Sequence, residues 1–452
     1  MAEKTIAAIS TPIGAGGIAV IRISGEDAVN VADKCFRAYS GKPLSSLNGY
    51  NASYGEVIFD GTVIDDGIAL VFLAPKSYTG ENVVEISVHG GRIAARNTLR
   101  AVLNSGAVPA ENGEFTKRAF LNGKLDLAEA EGIMEIISAK NETALKISRG
   151  AKEGRISKEI EKTVDKLLEF SASMSVYADY PDEEIENLNP ENFLKSICEI
   201  EQILCKLLKN YDTGKIIREG IDACIVGKPN VGKSTLMNLL CGSDRSIVTD
   251  IAGTTRDIVE STVDIEGITL NLSDTAGLHK TEDVVETAGV NKSKEKLSNS
   301  SLVFAVFDLS RPFDDDDKEL IKNLDGNAVI ILNKQDISGN NDLKIFGNRK
   351  TVTISAKENT GLDEFKKAVL DFADSGSVGS NDTVLISERQ RNCAKRALDG
   401  ITEAKQALIS GVTLDAVGVC VDDCLSALLE LTGKRVTNEV TDEVFKRFCV
   451  GK

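Results

Sequence analysis

The run Gly227-Lys228-Pro229-Asn230-Val231-Gly232-Lys233-Ser234 has the spacing G-x-x-x-x-G-K-S and stands between an apolar run, Ile221 to Val226, and the helix-like Thr235 to Leu240. Strand, glycine-rich turn and helix in that order form a device for gripping a chain of phosphates. The glycines let the backbone curl so that successive N–H groups and the amino end of the helix face the anion. Lys233 neutralises the outer oxygens, and Ser234 offers a hydroxyl to Mg²⁺. Further on, Asp274-Thr275-Ala276-Gly277 follows the strand-like Ile268 to Leu272. There a carboxylate reaches the metal's water shell and a glycine N–H senses the terminal phosphate. Asn333-Lys334-Gln335-Asp336 closes the apolar run Ala328 to Leu332. Its aspartate can accept from guanine N1–H and N2–H₂ together; adenine lacks that pair of donors and would leave the carboxylate unpaired. Ser355-Ala356-Lys357, after Val352 to Ile354, offers a backbone N–H to guanine O6. The ligands these spacings predict are GTP, its product GDP, and Mg²⁺.

Such loops need a sheet to hang from. From Ile216 to about Asp374 the strand-like runs Ile221 to Val226, Ile268 to Leu272, Leu302 to Phe307 and Ala328 to Leu332 alternate with helix-length segments, the rhythm of a mostly parallel α/β unit. Before it, up to about residue 118, strand-like Ile18 to Ile23, Gly67 to Leu73 and Val83 to Val88 mix with helix-like Glu26 to Phe36 and Arg92 to Asn104, an α+β pattern. Leu125, Ala128, Ile133, Ile136 and Ile137, then Ile156, Ile160, Val164 and Leu167, recur at helical spacing and predict antiparallel helices. Breaks are expected at Gly150, Gly154 and the Tyr180-Pro181 step. A flexible linker over residues 375–381 precedes helical Glu388 to Ile409, Leu414 to Leu431 and Asn438 to Phe448. The expected chain is multidomain: α+β over 1–118, a discontinuous helical domain over 119–215 and 379–452, and a P-loop domain over 216–378 inserted between its parts.

Composition sets the limits. At 452 residues, 42% hydrophobic and 27% charged, the chain holds several cores and is not broadly disordered. A net charge of −16 opposes unspecific coating of nucleic acid, so any RNA contact must be local or shared. The nine scattered cysteines form no C-x-x-C pair, so neither a disulfide framework nor a zinc ribbon is indicated, and a cytoplasmic setting is expected. His89 and His279 are the two histidines, too few for a multi-histidine metal site. The amino terminus is broken by Pro12, Gly14, Gly16 and Gly17, unlike a signal peptide, and no apolar run reaches membrane-spanning length.

The nucleotide elements together resemble the Ras-like GTPases related to translation factors. Leu278 stands where Ras-type enzymes carry the water-orienting glutamine. Along its whole length the chain resembles the MnmE (TrmE) family of tRNA-modification GTPases, whose G domain interrupts a helical domain. Beside the nucleotide motifs, the resemblance rests on Gly17 to Gly25 (GIAVIRISG), Ser77 to Glu81 (SYTGE), His89-Gly90-Gly91, Gly113 to Leu127 (GEFTKRAFLNGKLDL) and Phe448 to Lys452 (FCVGK). It implies that K⁺ and pairing of G domains in a homodimer replace an arginine finger. By the resemblance, Asn230, Thr249, Ile251 and Thr254 contact K⁺, and Thr255 joins Ser234 on Mg²⁺. Asp250, Ala252 and Gly253 complete the nucleotide loop, and Glu286 is the glutamate that orients water through other groups, with Lys233 and Asn230 the other catalytic residues. It also implies an amino-terminal domain binding 5,10-methylene-tetrahydrofolate, with 5-formyl-tetrahydrofolate as analogue, through Arg22, Glu81, Lys124 and Lys452. The implied activity is GTP hydrolysis that, with the FAD protein MnmG (GidA) in a heterotetramer, builds the aminomethyl or carboxymethylaminomethyl group on the wobble uridine of tRNA, with no membrane involved. A regulatory or ribosome-assembly GTPase without RNA-modifying activity is the competing reading.

Cys449 beside the folate positions reads either as a nucleophile or as a buried thiol between Phe448 and Val450. Lys146, Arg149, Lys152, Arg155, Lys158 and Lys162 recur at helical steps as a phosphate stripe would, but interleaved Glu153, Glu159 and Glu161 favour a solvated face. The acidic run Asp314 to Asp317 is expected at a helix amino end, where the dipole favours it.

Overall fold

The computed structural model describes residues 4–12, 14–179, 190–243, 261–274, 300–337, 339, 341–373 and 382–452. The Tyr180-Pro181 step, Thr249, Asp250, Ile251, Ala252, Gly253, Thr254, Thr255, Thr275, Ala276, Gly277, Leu278, His279, Glu286 and the linker 375–381 lie outside the described residues. The chain begins with β1 (Ile6–Ile9), β2 (Ile18–Ser24), α1 (Ala28–Cys35), β3 (Phe36–Ala38), β4 (Asn51–Phe59), β5 (Thr62–Phe72), β6 (Val83–His89), α2 (Arg92–Asn104), β7 (Val108–Pro109) and α3 (Glu114–Leu121). Helices α4 (Leu127–Ser138), α5 (Glu142–Lys152), α6 (Arg155–Asp179) and α7 (Pro190–Glu219) follow. Then come β8 (Ile221–Val226), α8 (Lys233–Ser243), β9 (Ser261–Ile265), β10 (Ile268–Asp274), β11 (Leu302–Asp308), α9 (Asp315–Lys322), β12 (Ala328–Asn333), β13 (Thr351–Thr353) and α10 (Leu362–Ala373). The last described elements are α11 (Glu388–Ile409), α12 (Leu414–Thr432) and α13 (Asn438–Lys446).

Two compact units result: Met1–Met134 with Lys152–Glu201 and Asn392–Lys452, and Glu135–Ala151 with Gln202–Arg391. The first carries a seven-stranded sheet in the order β3-β4-β5-β6-β2-β1-β7. Strand alternation sorts β2: Ala19, Ile21 and Ile23 pack with the apolar faces of α1 and α2, while Arg22 lies within cation–π reach of Tyr78 and Phe115. The chain's end joins this unit, because Val450 bridges Asn112 and Ser10 Oγ donates to Gly451 O at 3.0 Å. Leu127, Ala130, Val444, Phe445 and Phe448 form a core of their own there.

The second unit carries a six-stranded sheet, order β13-β12-β11-β8-β10-β9, parallel except at the β9 edge. Alternate residues of β8 enter different cores, Ile221, Ala223 and Ile225 one and Cys224 and Val226 the other. A sheet covered on both faces needs continuously apolar central strands, and β11 is buried at every position. Asn141 ties α5 into this unit by donating to Ile217 O and Thr269 Oγ1, both at 2.9 Å.

Several expectations shift. Phe36 opens β3 instead of ending α1, and the strand expected over 67–73 runs from Thr62 to Phe72. The periodic stretch after Leu125 is three helices before residue 180, one break falling at Gly154, whose φ of 76° a glycine tolerates. Gly150 stays inside α5, and α13 stops at Lys446.

Candidate functional site

β8 delivers the chain into the phosphate loop. Gly227 and Gly232 take φ of 150° and 100°, and a Cβ at either would run into Val306 O or Asn333 Nδ2. Asn230 also has a left-handed φ, 64°, which asparagine tolerates better than most residues. Lys233 Nζ donates to the carbonyls of Gly227 and Lys228, both at 2.8 Å, which holds the ammonium inside the loop's curl. Ser234 and Thr235 are exposed in the first turn of α8, where free backbone N–H groups and the helix dipole attract anions. Val231 is buried and anchors the loop in the core.

The loops that follow β12 and β13 are stapled to it. Asn333 is 3% exposed; its Nδ2 donates to Val231 O at 2.9 Å and its Oδ1 accepts from Ala356 N at 3.0 Å. One side chain thus joins three loops from different strands. Asp336 is exposed and ready to accept, and Ser355 Oγ donates to its Oδ1 at 2.6 Å. Lys334 Nζ lies 2.7 Å from Asp308 Oδ2. Burial pushes the Asp308 carboxyl up, but Lys334 and the hydroxyl and N–H of Ser310 outweigh that and hold it below the ordinary carboxylate value. Asp308 and Ser310 were not singled out in the sequence. Lys357 is exposed, and Asp274 ends β10, beside β8 in the sheet.

Arg22, Glu81, Lys124 and Lys452 come from four separate stretches of the first unit. Arg22 Nε donates to Glu85 Oε1 at 2.8 Å and its Nη1 to Gly451 O at 3.3 Å, next to Lys452. Glu81 accepts from Ser24 Oγ at 2.7 Å and twice from Arg118 Nη1 at 3.2 Å. Lys124 Nζ donates to Pro75 O at 3.1 Å, and Asn122 Nδ2 to Thr79 O at 2.8 Å, so the 75–81 loop packs on the 122–124 turn. Arg118, which sequence reading missed, is buried; burial opposes its charge, yet Glu114 and Glu81 hold its pKa above the ordinary value. Nothing in its spacing could have flagged it.

Cys449 is exposed, which removes the buried-thiol reading while Phe448 beside it is buried. His89 is exposed and pairs through Nδ1 with Asp65 Oδ1 at 2.8 Å, a contact that raises its pKa. The basic residues 146 to 162 divide between α5 and α6, and Arg155 and Lys162 lie 3.9 and 4.0 Å from Glu153 and Glu159. Among the described residues no helix is long and apolar enough to cross a membrane.

The model of the MnmE helical domain matches residues 127–449, and that of the GTP-binding protein TrmE N-terminus matches residues 5–124. The tRNA modification GTPase MnmE of Acetivibrio thermocellus is 39% identical over 458 residues, covering 100% of this chain and 99% of that protein. The protein of the same name from Alkaliphilus oremlandii is 41% identical over 458 residues, again covering 100% and 99%. That of Clostridioides difficile is 39% identical over 456 residues with the same coverage.

Proposed function

The chain belongs to the MnmE family of tRNA modification GTPases, and from that premise we propose that its GTP hydrolysis requires K⁺ and pairing of two copies, and that it works with the FAD protein MnmG on the wobble uridine of cytoplasmic tRNA. It is a GTP hydrolase that acts in tRNA modification. The added carbon comes, in this reading, from 5,10-methylene-tetrahydrofolate.

In the phosphate loop, Lys233 and the N–H groups at the start of α8 hold the β and γ phosphates. Ser234 and Thr255 would hold Mg²⁺, to which Ser234 presents an exposed hydroxyl. Asn230 is exposed at the loop's rim, and with Thr249, Ile251 and Thr254 it would hold K⁺. A bound monovalent cation supplies fixed positive charge where negative charge develops on cleavage. Asp336, oriented by Ser355, selects guanine, and Glu286 orients water through other groups.

The observation that carries the modification reading is the seating of the chain's last residues on the first sheet. Arg22 and Gly451, 429 positions apart, are joined by a hydrogen bond, so that two stretches assigned to folate by family resemblance meet. A charged set of Arg22, Glu81, Lys124 and Lys452 suits a pterin's amide edge and a glutamate tail.

The test is mass spectrometry of the wobble uridine in tRNA incubated with this chain, MnmG, GTP, K⁺, ammonium or glycine, and methylene-tetrahydrofolate. Modified uridine is expected with the unaltered chain and not with Glu286→Ala; bare uridine from both sinks the proposal in favour of a regulatory switch. Replacing K⁺ by Na⁺ should slow GTP turnover sharply, and equal rates would remove Asn230 from the mechanism.

A further inference from the structure

Lys228 belongs to the phosphate loop, and its carbonyl helps to seat Lys233, but its side chain is claimed by α9. Its Nζ lies 2.8 and 2.7 Å from the two carboxylate oxygens of Asp314 and 2.8 Å from Asp316 Oδ2. Helix capping explains only part of this acidic cluster. Asp314 and Asp317 form the capping box, each side chain accepting the other's backbone N–H, whereas Asp316 takes no part in it. The remaining charges are engaged nearby: Arg311 lies 2.8 Å from Asp317 and 3.2 Å from Asp314, and Lys318 lies 2.8 Å from Asp315.

An ammonium on a phosphate loop ordinarily adds to the attraction for a polyanion. Here two carboxylates sit on it, so the trio presents net negative charge beside a cradle built for phosphates. We infer that Asp314 and Asp316 act as an electrostatic brake on nucleotide binding: by holding Lys228 they keep the loop's affinity for GTP and GDP below what its lysines alone would provide, and so hasten nucleotide release. In this inference the acids act through Lys228 and the local field. Asp314 is drawn down to about 2, first by Lys228 and then by the Asp317 N–H, in keeping with a charged pair that persists at neutral pH. The side chains of Asp314 and Asp316 are 50% and 76% exposed, so salt screens the effect.

The experiment uses the full chain and a fluorescent GDP, with release followed by stopped flow at about 0.05 M and about 0.5 M salt. Asparagine caps helices as well as aspartate, so Asp314→Asn with Asp316→Asn keeps α9 capped. That double variant should release GDP about threefold more slowly at low salt, with the difference shrinking at high salt. Lys228→Ala, which leaves the Asp314–Asp317 capping box in place, should release it faster by a similar factor. An unchanged or faster rate in the double variant overturns the inference, because a merely loosened helix would speed release. So does a Lys228→Ala rate equal to or below that of the unaltered chain.

Discussion

Asp308 holds Lys334 in place from the end of β11, one strand away from the loop that Lys334 belongs to. Lys334 has a φ of 66°, a conformation its own sequence does not favour, so the ion pair helps to hold the turn that presents Asp336. Asp308→Asn keeps an acceptor for Ser310 but removes the charge. GDP affinity, read by fluorescence titration, should fall about fivefold, the scale of one charge-assisted hydrogen bond at a partly exposed site. The pair also has a pH signature. Since the Asp308 carboxyl lies below the ordinary 3.8 in the folded chain, its stabilisation is full above that value and is lost as pH falls through the lower, folded value. The difference in melting temperature between the unaltered chain and Asp308→Asn should therefore be constant from pH 7 to about 5 and shrink below about 4. A gap that stays constant down to pH 2 would show that the charge on Asp308 contributes nothing.

At the scale of elements, what could be read from the sequence was what chemistry ties to fixed offsets. The phosphate loop is such a case, because the backbone's curl demands glycine at two positions while phosphate charge and Mg²⁺ demand Lys-Ser at the end, and the apolar run before it coincides with the strand Ile221–Val226. Helices Arg92–Asn104 and Glu388–Ile409 were legible from periodicity alone. Strand β4 was not: Asn51, Ala52 and Tyr54 are exposed, so the apolar alternation that marks a strand appears only in its second half. Asp308, Arg118 and Glu85 escaped notice because a lone charged residue carries no pattern, and its partner is chosen by sheet register and loop packing. Helix ends were harder still, although some have a local cause. α12 ends at Gly433 with φ 87°, and a Cβ there would lie 2.6 Å from Leu127 Cβ. Gly433→Ala combines backbone strain with overpacking and should destabilise the first unit by about 2 kcal/mol, measured by urea denaturation. A change within about 0.5 kcal/mol would mean the turn relaxes freely.

The whole molecule is assembled from segments that interrupt one another, three in the first unit and two in the second. Closing such a chain requires contacts between distant stretches, and the most distant is the seat of residues 449–452. Ser10 Oγ and Arg22 Nη1 both donate to Gly451 O, and Gly113 N donates to Cys449 O at 3.4 Å. Gly451 can take this place because its φ is 92° and because its Cα approaches the backbone of Ile9 and Ser10, leaving no room for a side chain. Gly451→Ala should therefore pry the tail from the sheet. Its loss would be felt by the first unit, whose hydrogen bonds it breaks, and not by the second, whose sheet, staples and nucleotide loops contain no residue of the tail. Calorimetry should show two melting transitions in the unaltered chain. GDP at a hundred times its dissociation constant should raise only the transition of the nucleotide-binding unit, since a ligand stabilises by about 2.7 kcal/mol the state that binds it. Gly451→Ala should lower only the other transition and leave the GDP-dependent shift intact. If both transitions fell together in the variant, or if GDP moved both, the two units would have to be treated as one cooperative body, and an alteration in the tail could reach the phosphate loop through the fold itself.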